Sequence, residues 1–114
     1  KDLLVRATEE DTLVARGFFG PMRFIRNTCA LELVDATLRG APDLYKGNPT
    51  GSTPEIIDLE VTGLKNLFKG NIEKTPVLGG QVAGRIHDIP TVKELVDRIV
   101  READETLGKL QQWL

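Results

Sequence analysis

A chain of 114 residues with 40% apolar residues, 28% charged residues and a formal net charge of −2 predicts one small globular domain. This charge gives no case for binding nucleic acid or an anionic membrane, and no apolar run approaches the roughly 20 residues of a membrane-spanning helix. The single cysteine, Cys29, excludes an internal disulfide framework and favours a reducing, cytoplasmic setting.

The first 27 residues predict a helix stub followed by a β-hairpin. Residues 1–8 begin directly in an apolar run without a methionine, so we expect a fragment of a longer protein. Residues 12–19 are β-branched, aromatic or small and carry no helical stripe, which predicts a strand. Gly20-Pro21 predicts the turn, and residues 22–25 predict the returning strand.

Three arginines, Arg16, Arg23 and Arg26, lie close together on this predicted hairpin. One interpretation is that these arginines form a solvated face of the hairpin. The other is that they contact an anion or the edge of a cofactor.

Residues 28–70 predict a helical insertion. Asn27 is a suitable N-cap for a first helix over 28–38, because its side chain can accept hydrogen bonds from free amides. Cys29 falls on the apolar face and is predicted to be a small core residue rather than a nucleophile. Gly40 is expected to end this helix. In the predicted loop 41–52, Tyr45 and Lys46 either reach a ligand or pack on the loop itself.

The second helix of this insertion has a well-defined start. Thr53-Pro54-Glu55 supplies a cap residue, a proline at the first helical position and an acid in the first turn. An apolar stripe at steps of three and four predicts the buried face, and Gly70 is expected to close the helix; the stripe comprises Ile57, Val61, Leu64 and Phe68.

Residues 71–114 predict a glycine turn followed by a terminal helix. The stretch 79–84 has three glycines and is either a tight structural crossing or the wall of a binding site. Its spacing matches neither of the common phosphate-binding glycine motifs. Thr91 to Glu94 has the form of a capping box for a helix that ends near Leu110. Acid-before-base pairs at i, i+4 should support this helix: Glu94–Arg98, Asp97–Arg101 and Glu105–Lys109.

The sequence does not contain a complete set of catalytic residues. His87 is the only histidine, and although Asp88 adjoins it, neighbouring residues rarely point at one substrate. We therefore predict no catalytic residue in this chain. We also expect no metal site, because ligand residues do not cluster at short spacing, and no RNA-binding surface, because basic and aromatic residues do not alternate.

Three segments in order, 11–27, 79–84 and 86–96, resemble the C-terminal part of the nitronate monooxygenase (2-nitropropane dioxygenase) family. The related flavin-dependent enoyl-acyl-carrier-protein reductases share these segments. Gly80, Gln81 and Gly84 match the family's A-G-Q-x-A-G run. The sequence departs from the family pattern at Gly79, where alanine is usual, and at 18–19, where polar or small residues are common.

The resemblance implies an FMN enzyme with an α/β fold, a (β/α)₈ barrel, of which this chain would be a helix-rich C-terminal fragment with a short hairpin. It implies a cofactor-binding role for Gly80, Gln81 and Gly84, and a place at the substrate edge for Arg23 and Asn27. The family's catalytic histidine has no counterpart here, and His87 does not inherit its role.

The resemblance leaves the function open between oxidation of alkyl nitronates and reduction of an enoyl thioester. A third alternative is a non-catalytic interaction or binding domain. The implied partners are a small-molecule substrate and the remainder of the barrel. We expect the isolated chain to be inactive, to bind no FMN and to self-associate through the apolar faces of 57–68 and 92–110.

Overall fold

The computed structural model describes residues 1–44 and 51–111, which form a helix-rich fold with one antiparallel hairpin. The α-helices and strands, in chain order, are α1 Asp2–Arg6, β1 Thr12–Gly17, β2 Gly20–Ile25, α2 Thr28–Leu44, α3 Pro54–Leu67 and α4 Val92–Gln111. Short 3₁₀ helices cover Glu9–Asp11, Ile72–Lys74 and Gln81–Arg85. The predicted helix stub, hairpin, helical pair and terminal helix are thus confirmed within the described ranges.

The hairpin turns two residues earlier than predicted. Its register runs from Thr12 opposite Ile25 to Gly17 opposite Gly20, so Phe18 and Phe19 form the turn. Gly20-Pro21, predicted as the turn, instead begins β2. Gly20 has φ 107°, a conformation that glycine adopts at little cost, and this local backbone freedom sets the point of reversal.

One face of the hairpin packs on α2 and α3 to form the main core. Its buried members are Ala15, Phe24, Cys29, Ala30, Leu33, Ala36 and Ile56. Leu13 and Met22, which alternate with the outward residues of the strands, pack against the same cluster. The period-two pattern of the strands and the helical stripe of α2 therefore meet in one apolar layer.

The first long helix continues past its predicted end at Gly40 and through residues 41–44 of the predicted loop. Gly40 does not take the left-handed conformation that would stop a helix; in the described residues only Gly20 and Gly70 have positive φ. Arg39, in the last turns, forms ion pairs with Asp35 and with Glu55 of α3. Tyr45 and Lys46 lie outside the described residues.

The second long helix begins as predicted but buries a different face. Thr53 Oγ1 accepts a hydrogen bond from the Ile56 amide at 3.3 Å, and Pro54 is the first helical residue. The buried residues are Ile56, Glu60 and Gly63, one position away from the predicted stripe. Gly63 allows close packing, because a Cβ there would lie 2.6 Å from Pro76 Cδ and 3.2 Å from the Cys29 sulfur.

The stripe predicted to be buried on α3 faces outward instead. Val61 and Leu64 are 40% and 45% exposed, and Phe68 is 91% exposed. The helix is therefore apolar on two sides, one buried in the core and the other uncovered within the described chain.

A second, smaller core joins the N-terminal helix to the glycine stretch. Its buried residues are Ala7, Ile25 and Ala83, and Leu3, Leu4 and Val77 pack against them. Residues 77–79 pair with the open edge of β2, since the Ile25 amide donates to the Val77 carbonyl at 2.8 Å and Phe24 bridges Leu78. The glycine stretch is thus held at the edge of the hairpin.

The terminal helix extends away from both cores. Its capping box is confirmed: the Thr91 amide donates to Glu94 Oε2 at 2.8 Å, and the Glu94 amide donates to Thr91 Oγ1 at 3.3 Å. No residue of α4 is buried. The Cα radius of gyration is 18.4 Å, against about 13 Å for a compact chain of this length.

The charged residues of α4 pair differently from the predicted acid-before-base pattern. The ion pairs formed are Lys93–Asp97 at 2.5 Å, Arg101–Glu105 at 3.9 Å and Arg98–Asp88 at 2.5 Å. Glu94 already accepts hydrogen bonds from Thr91, and Arg98 turns instead to the carboxylate that precedes the helix.

Candidate functional site

The three glycines of the 79–84 stretch have different surroundings. A Cβ on Gly79 would lie 2.5 Å from Ile25 Cδ1, and a Cβ on Gly84 would lie 2.6 Å from the Glu9 amide nitrogen. Both positions are tight structural crossings that a larger residue would disrupt. A Cβ on Gly80 would meet nothing within 4 Å. Gly80 also has an ordinary φ of −79°, so neither conformation nor space within this chain requires glycine there.

Gln81 follows Gly80 and begins the 3₁₀ helix Gln81–Arg85. Its side chain is exposed, and within the described ranges its amide makes no hydrogen bond. An amide offers both donors and an acceptor. Gly80 and Gln81 therefore form a small exposed element to which another group can approach closely and hydrogen bond.

Arg23 lies next to this element. Its carbonyl accepts a hydrogen bond from the Gly79 amide at 3.2 Å. Its guanidinium is half-buried and donates from Nη1 to Thr12 Oγ1 at 3.0 Å. A guanidinium carries five N–H donors, so this bond leaves donors for an anionic ligand. The structure thus brings the Arg23 backbone to the glycine stretch, whereas the Arg23 guanidinium reaches across the hairpin to Thr12 of β1.

Asn27 has a different position, and its polar atoms belong to the fold. Its Oδ1 accepts from the Ala30 amide at 2.8 Å, which confirms the N-cap. Its Nδ2 donates to the carbonyls of Ile72 at 2.8 Å and Thr75 at 2.7 Å. The side chain is only 5% exposed. Asn27 ties the start of α2 to the segment after α3, and a substrate role for it stays a prediction.

The three arginines of the hairpin do not share one environment. Arg16 is buried, and its Nε donates to the Gly51 carbonyl at 3.0 Å. Arg26 is exposed at the other end of the hairpin. Of the three, Arg23 alone is in direct backbone contact with the glycine stretch in the described structure.

Two further side chains that the sequence did not single out hold the hairpin turn. The buried carboxylate of Glu60 accepts a hydrogen bond from the Phe18 amide, and Ser52 Oγ donates to the Gly17 carbonyl. Glu60 lies four residues after Ile56 and three before Gly63, so it shares their face of α3. This spacing could identify Glu60 as buried only once the buried face of α3 is known.

The cysteine is buried in the main core, whereas the single histidine and the aspartate beside it lie on the surface before α4. Burial raises the pKa of the Cys29 thiol to about 11, so the thiol stays protonated at neutral pH. His87 and Asp88 are exposed, and the hydrogen bond from Arg98 lowers the pKa of the Asp88 carboxyl. Across residues 1–44 and 51–111, no group of three or more potential ligands could hold a metal ion.

The same ranges contain no helix with the length and apolar character needed to cross a membrane.

The chain is similar to FabK from Thermotoga maritima over its entire length. It matches one structure of that protein with a TM-score of 0.69 and 28% sequence identity, and a point mutant of it with a TM-score of 0.63 and 25% identity. These matches cover 33% and 31% of the FabK chains, so this chain spans about one third of their length. No protein-family model and no curated protein matches the sequence.

Proposed function

We propose that this chain is the C-terminal segment of an FMN-dependent oxidoreductase that resembles FabK, a flavin-dependent enoyl-acyl-carrier-protein reductase. The observation that carries the proposal is the similarity to FabK, which extends over the whole chain at 28% identity. The segments 11–27, 79–84 and 86–96, which resemble the family in the same order along the chain, support the proposal independently.

In this proposal the Gly80–Gln81 element forms one edge of the flavin site. Gly80 leaves open space for the cofactor to approach the backbone, and the exposed Gln81 amide hydrogen bonds to it. Arg23 supplies positive charge to an anionic part of the cofactor or substrate. Gly84 acts indirectly, because its contact with Glu9 fixes the turn. FMN, when bound, supplies the redox chemistry, and these residues position it.

The proposed substrate is an enoyl thioester, since the structural neighbours are FabK proteins. Oxidation of an alkyl nitronate is the competing activity within the same resemblance. A non-catalytic binding domain is the alternative from a different class.

The proposed partner of α4 is the remainder of the enzyme. Two observations support this: the apolar face of α4 is uncovered in the described chain, and the FabK chains contain about twice as much further sequence as this segment. In the isolated segment, the same face and the outer face of α3 would drive self-association.

The test is an assay of the full-length gene product. We expect purified protein to carry FMN and to oxidise a nicotinamide cofactor when given a trans-2-enoyl thioester, with no activity on propyl nitronate. Turnover of the nitronate alone would assign the competing activity. Absence of bound flavin after addition of excess FMN would refute the oxidoreductase proposal and favour the binding domain.

A further inference from the structure

The segment 75–80 lies antiparallel along the edge of β2 that β1 leaves open. Two main-chain hydrogen bonds set its register: the Ile25 amide donates to the Val77 carbonyl at 2.8 Å, and the Gly79 amide donates to the Arg23 carbonyl at 3.2 Å. A slip of one residue would exchange the two faces of the segment, and a slip of two would move it by roughly 7 Å. The register therefore decides where the Gly80–Gln81 element stands.

The same register places Asn27 opposite Thr75, and there a side chain completes the pairing. Asn27 Nδ2 donates to the Thr75 carbonyl at 2.7 Å and to the Ile72 carbonyl at 2.8 Å. Hydrogen-bonded pairs recur at every second residue of an antiparallel ladder, so the bond to Thr75 stands where the next main-chain bond would come. Pro76, the residue between, has no amide to donate. The Asn27 side chain thus extends the pairing past the end of β2.

Asn27 makes these bonds from a corner that is itself fixed. Its main chain leaves β2 and enters α2, where the Leu31 amide donates to the Asn27 carbonyl at 3.1 Å. Its Oδ1 accepts from the Ala30 amide at 2.8 Å. Asn27 and Thr75 are only 5% and 1% exposed, so water does not compete for the bond between them. The end of β2, the start of α2 and residues 72–75 are therefore joined at one buried amide.

Two other contacts of the same segment lie on the surface. Lys74 Nζ pairs with Glu32 of α2 at 2.7 Å, but the two side chains are 47% and 41% exposed. Asn66 Nδ2 donates to the Lys74 carbonyl at 3.2 Å, also at an exposed position. Exposed contacts restrain a segment weakly, because water replaces them at little cost. The buried bond from Asn27 is therefore the stronger restraint on the register.

We propose that Asn27 is a positioning residue for the flavin site: it holds Thr75 in register with the end of β2 and thereby sets where Gly80 and Gln81 meet the cofactor. In this role Asn27 acts through the main chain of 75–80 and needs no contact with cofactor or substrate. The consequence for FMN rests on the proposed function, whereas the effect on the register does not.

Asn27→Ser in the full-length gene product tests the register. The serine hydroxyl can still cap α2 by accepting from the Ala30 amide, but it has no amide to donate to Thr75. We expect the Gly79 amide to exchange with deuterium about tenfold faster in this variant, while amides in the middle of α2 keep their rates. Asn66→Ala is the matched control, because it deletes an exposed donor to the same segment and should leave the Gly79 rate unchanged.

A double-variant cycle tests whether the register acts through Gln81. Asn27→Ser and Gln81→Ala should each weaken FMN binding to the apoprotein about tenfold, since each removes the proposed bond between Gln81 and the cofactor. The double variant should also lose about tenfold rather than about hundredfold, because one bond can be lost only once. Quenching of flavin fluorescence measures the affinities, at a temperature where circular dichroism shows every variant folded.

Three results would overturn the inference: an unchanged Gly79 exchange rate in Asn27→Ser, an equal acceleration in Asn66→Ala, or additive losses of FMN affinity in the double variant. Additive losses would mean that Asn27 affects stability alone, independently of the Gln81 contact. Failure of the proposed function gives a different pattern. If the unaltered protein binds no FMN while the Gly79 amide still exchanges faster in Asn27→Ser, the proposed function fails and the register role of Asn27 stands.

Discussion

The hairpin with α2 and α3, here the central unit, and the terminal helix α4 are stabilised in different ways. The central unit buries Phe24, Leu33 and Ile56 completely, whereas no residue of α4 is buried. Yet α4 has the cap, charge pairs and apolar face of a well-formed helix. Local signals therefore specify that α4 is a helix, and only packing specifies what a helix contacts.

The largest expected difference between the two regions is the cost of deleting an apolar side chain. Phe24→Ala should lower the free energy of unfolding by about 3–5 kcal/mol, because it leaves a cavity at a fully buried site. Ile99→Ala on α4, 57% exposed, should change it by less than about 0.5 kcal/mol. Urea unfolding followed by circular dichroism measures both values. Similar losses for the two variants would show that α4 packs on the central unit.

A second contrast concerns polar side chains within the central unit. Asn27→Ala removes the α2 cap and leaves the Ile72 and Thr75 carbonyls without their donor, so we expect a loss of about 2–4 kcal/mol. Asn66→Ala is the matched control, since the Asn66 side chain makes a single exposed hydrogen bond, to the Lys74 carbonyl at 3.2 Å. It should cost under about 1 kcal/mol. The same urea unfolding experiment applies, and equal losses would contradict the structural role of Asn27.

The smallest effect is a pH dependence at the start of α4. Hydrogen bonds from Thr91 hold the pKa of the Glu94 carboxyl below its ordinary value of 4.5. The stabilisation is therefore complete above that value and is lost as the pH falls through the lowered pKa. NMR signals of the first turn of α4 should shift towards coil positions in this acidic range, while those of Phe24 stay unchanged.

Glu94→Gln should weaken this pH response, because the amide that replaces the carboxylate does not titrate there. An acid transition of the same size in Glu94→Gln would show that another group controls the end of the helix.

Features that depend on adjacent residues were predicted from the sequence, whereas features that depend on tertiary packing were not. The caps at Asn27, Thr53 and Thr91 were predicted correctly because each depends on a few adjacent residues. The predicted buried face of α3 was wrong by one position, because counting apolar residues gives no weight to Gly63, whose lack of a side chain lets Pro76 and Cys29 approach the helix. The predicted end of α2 at Gly40 was also wrong, because glycine permits a helix to stop without requiring it.

The candidate site was predictable in part. The resemblance pointed to Gly80, Gln81 and Arg23, and the structure places Arg23 beside the glycine stretch. The resemblance could not predict that Gly80 is open while Gly79 and Gly84 are crowded, because the difference lies in which groups from distant segments approach each glycine. For the same reason the sequence could not predict that Glu60, 42 residues away, supports the hairpin turn at Phe18.

The most direct test of the proposed flavin-site edge compares two adjacent glycines in the full-length gene product. Gly80→Val should weaken FMN binding by about tenfold or more with an unchanged melting temperature, because its side chain projects into space that this chain leaves open. Gly79→Val is the control and should lower the melting temperature, because its side chain would collide with Ile25. Unchanged FMN affinity in Gly80→Val would contradict the assignment of this edge to the flavin site.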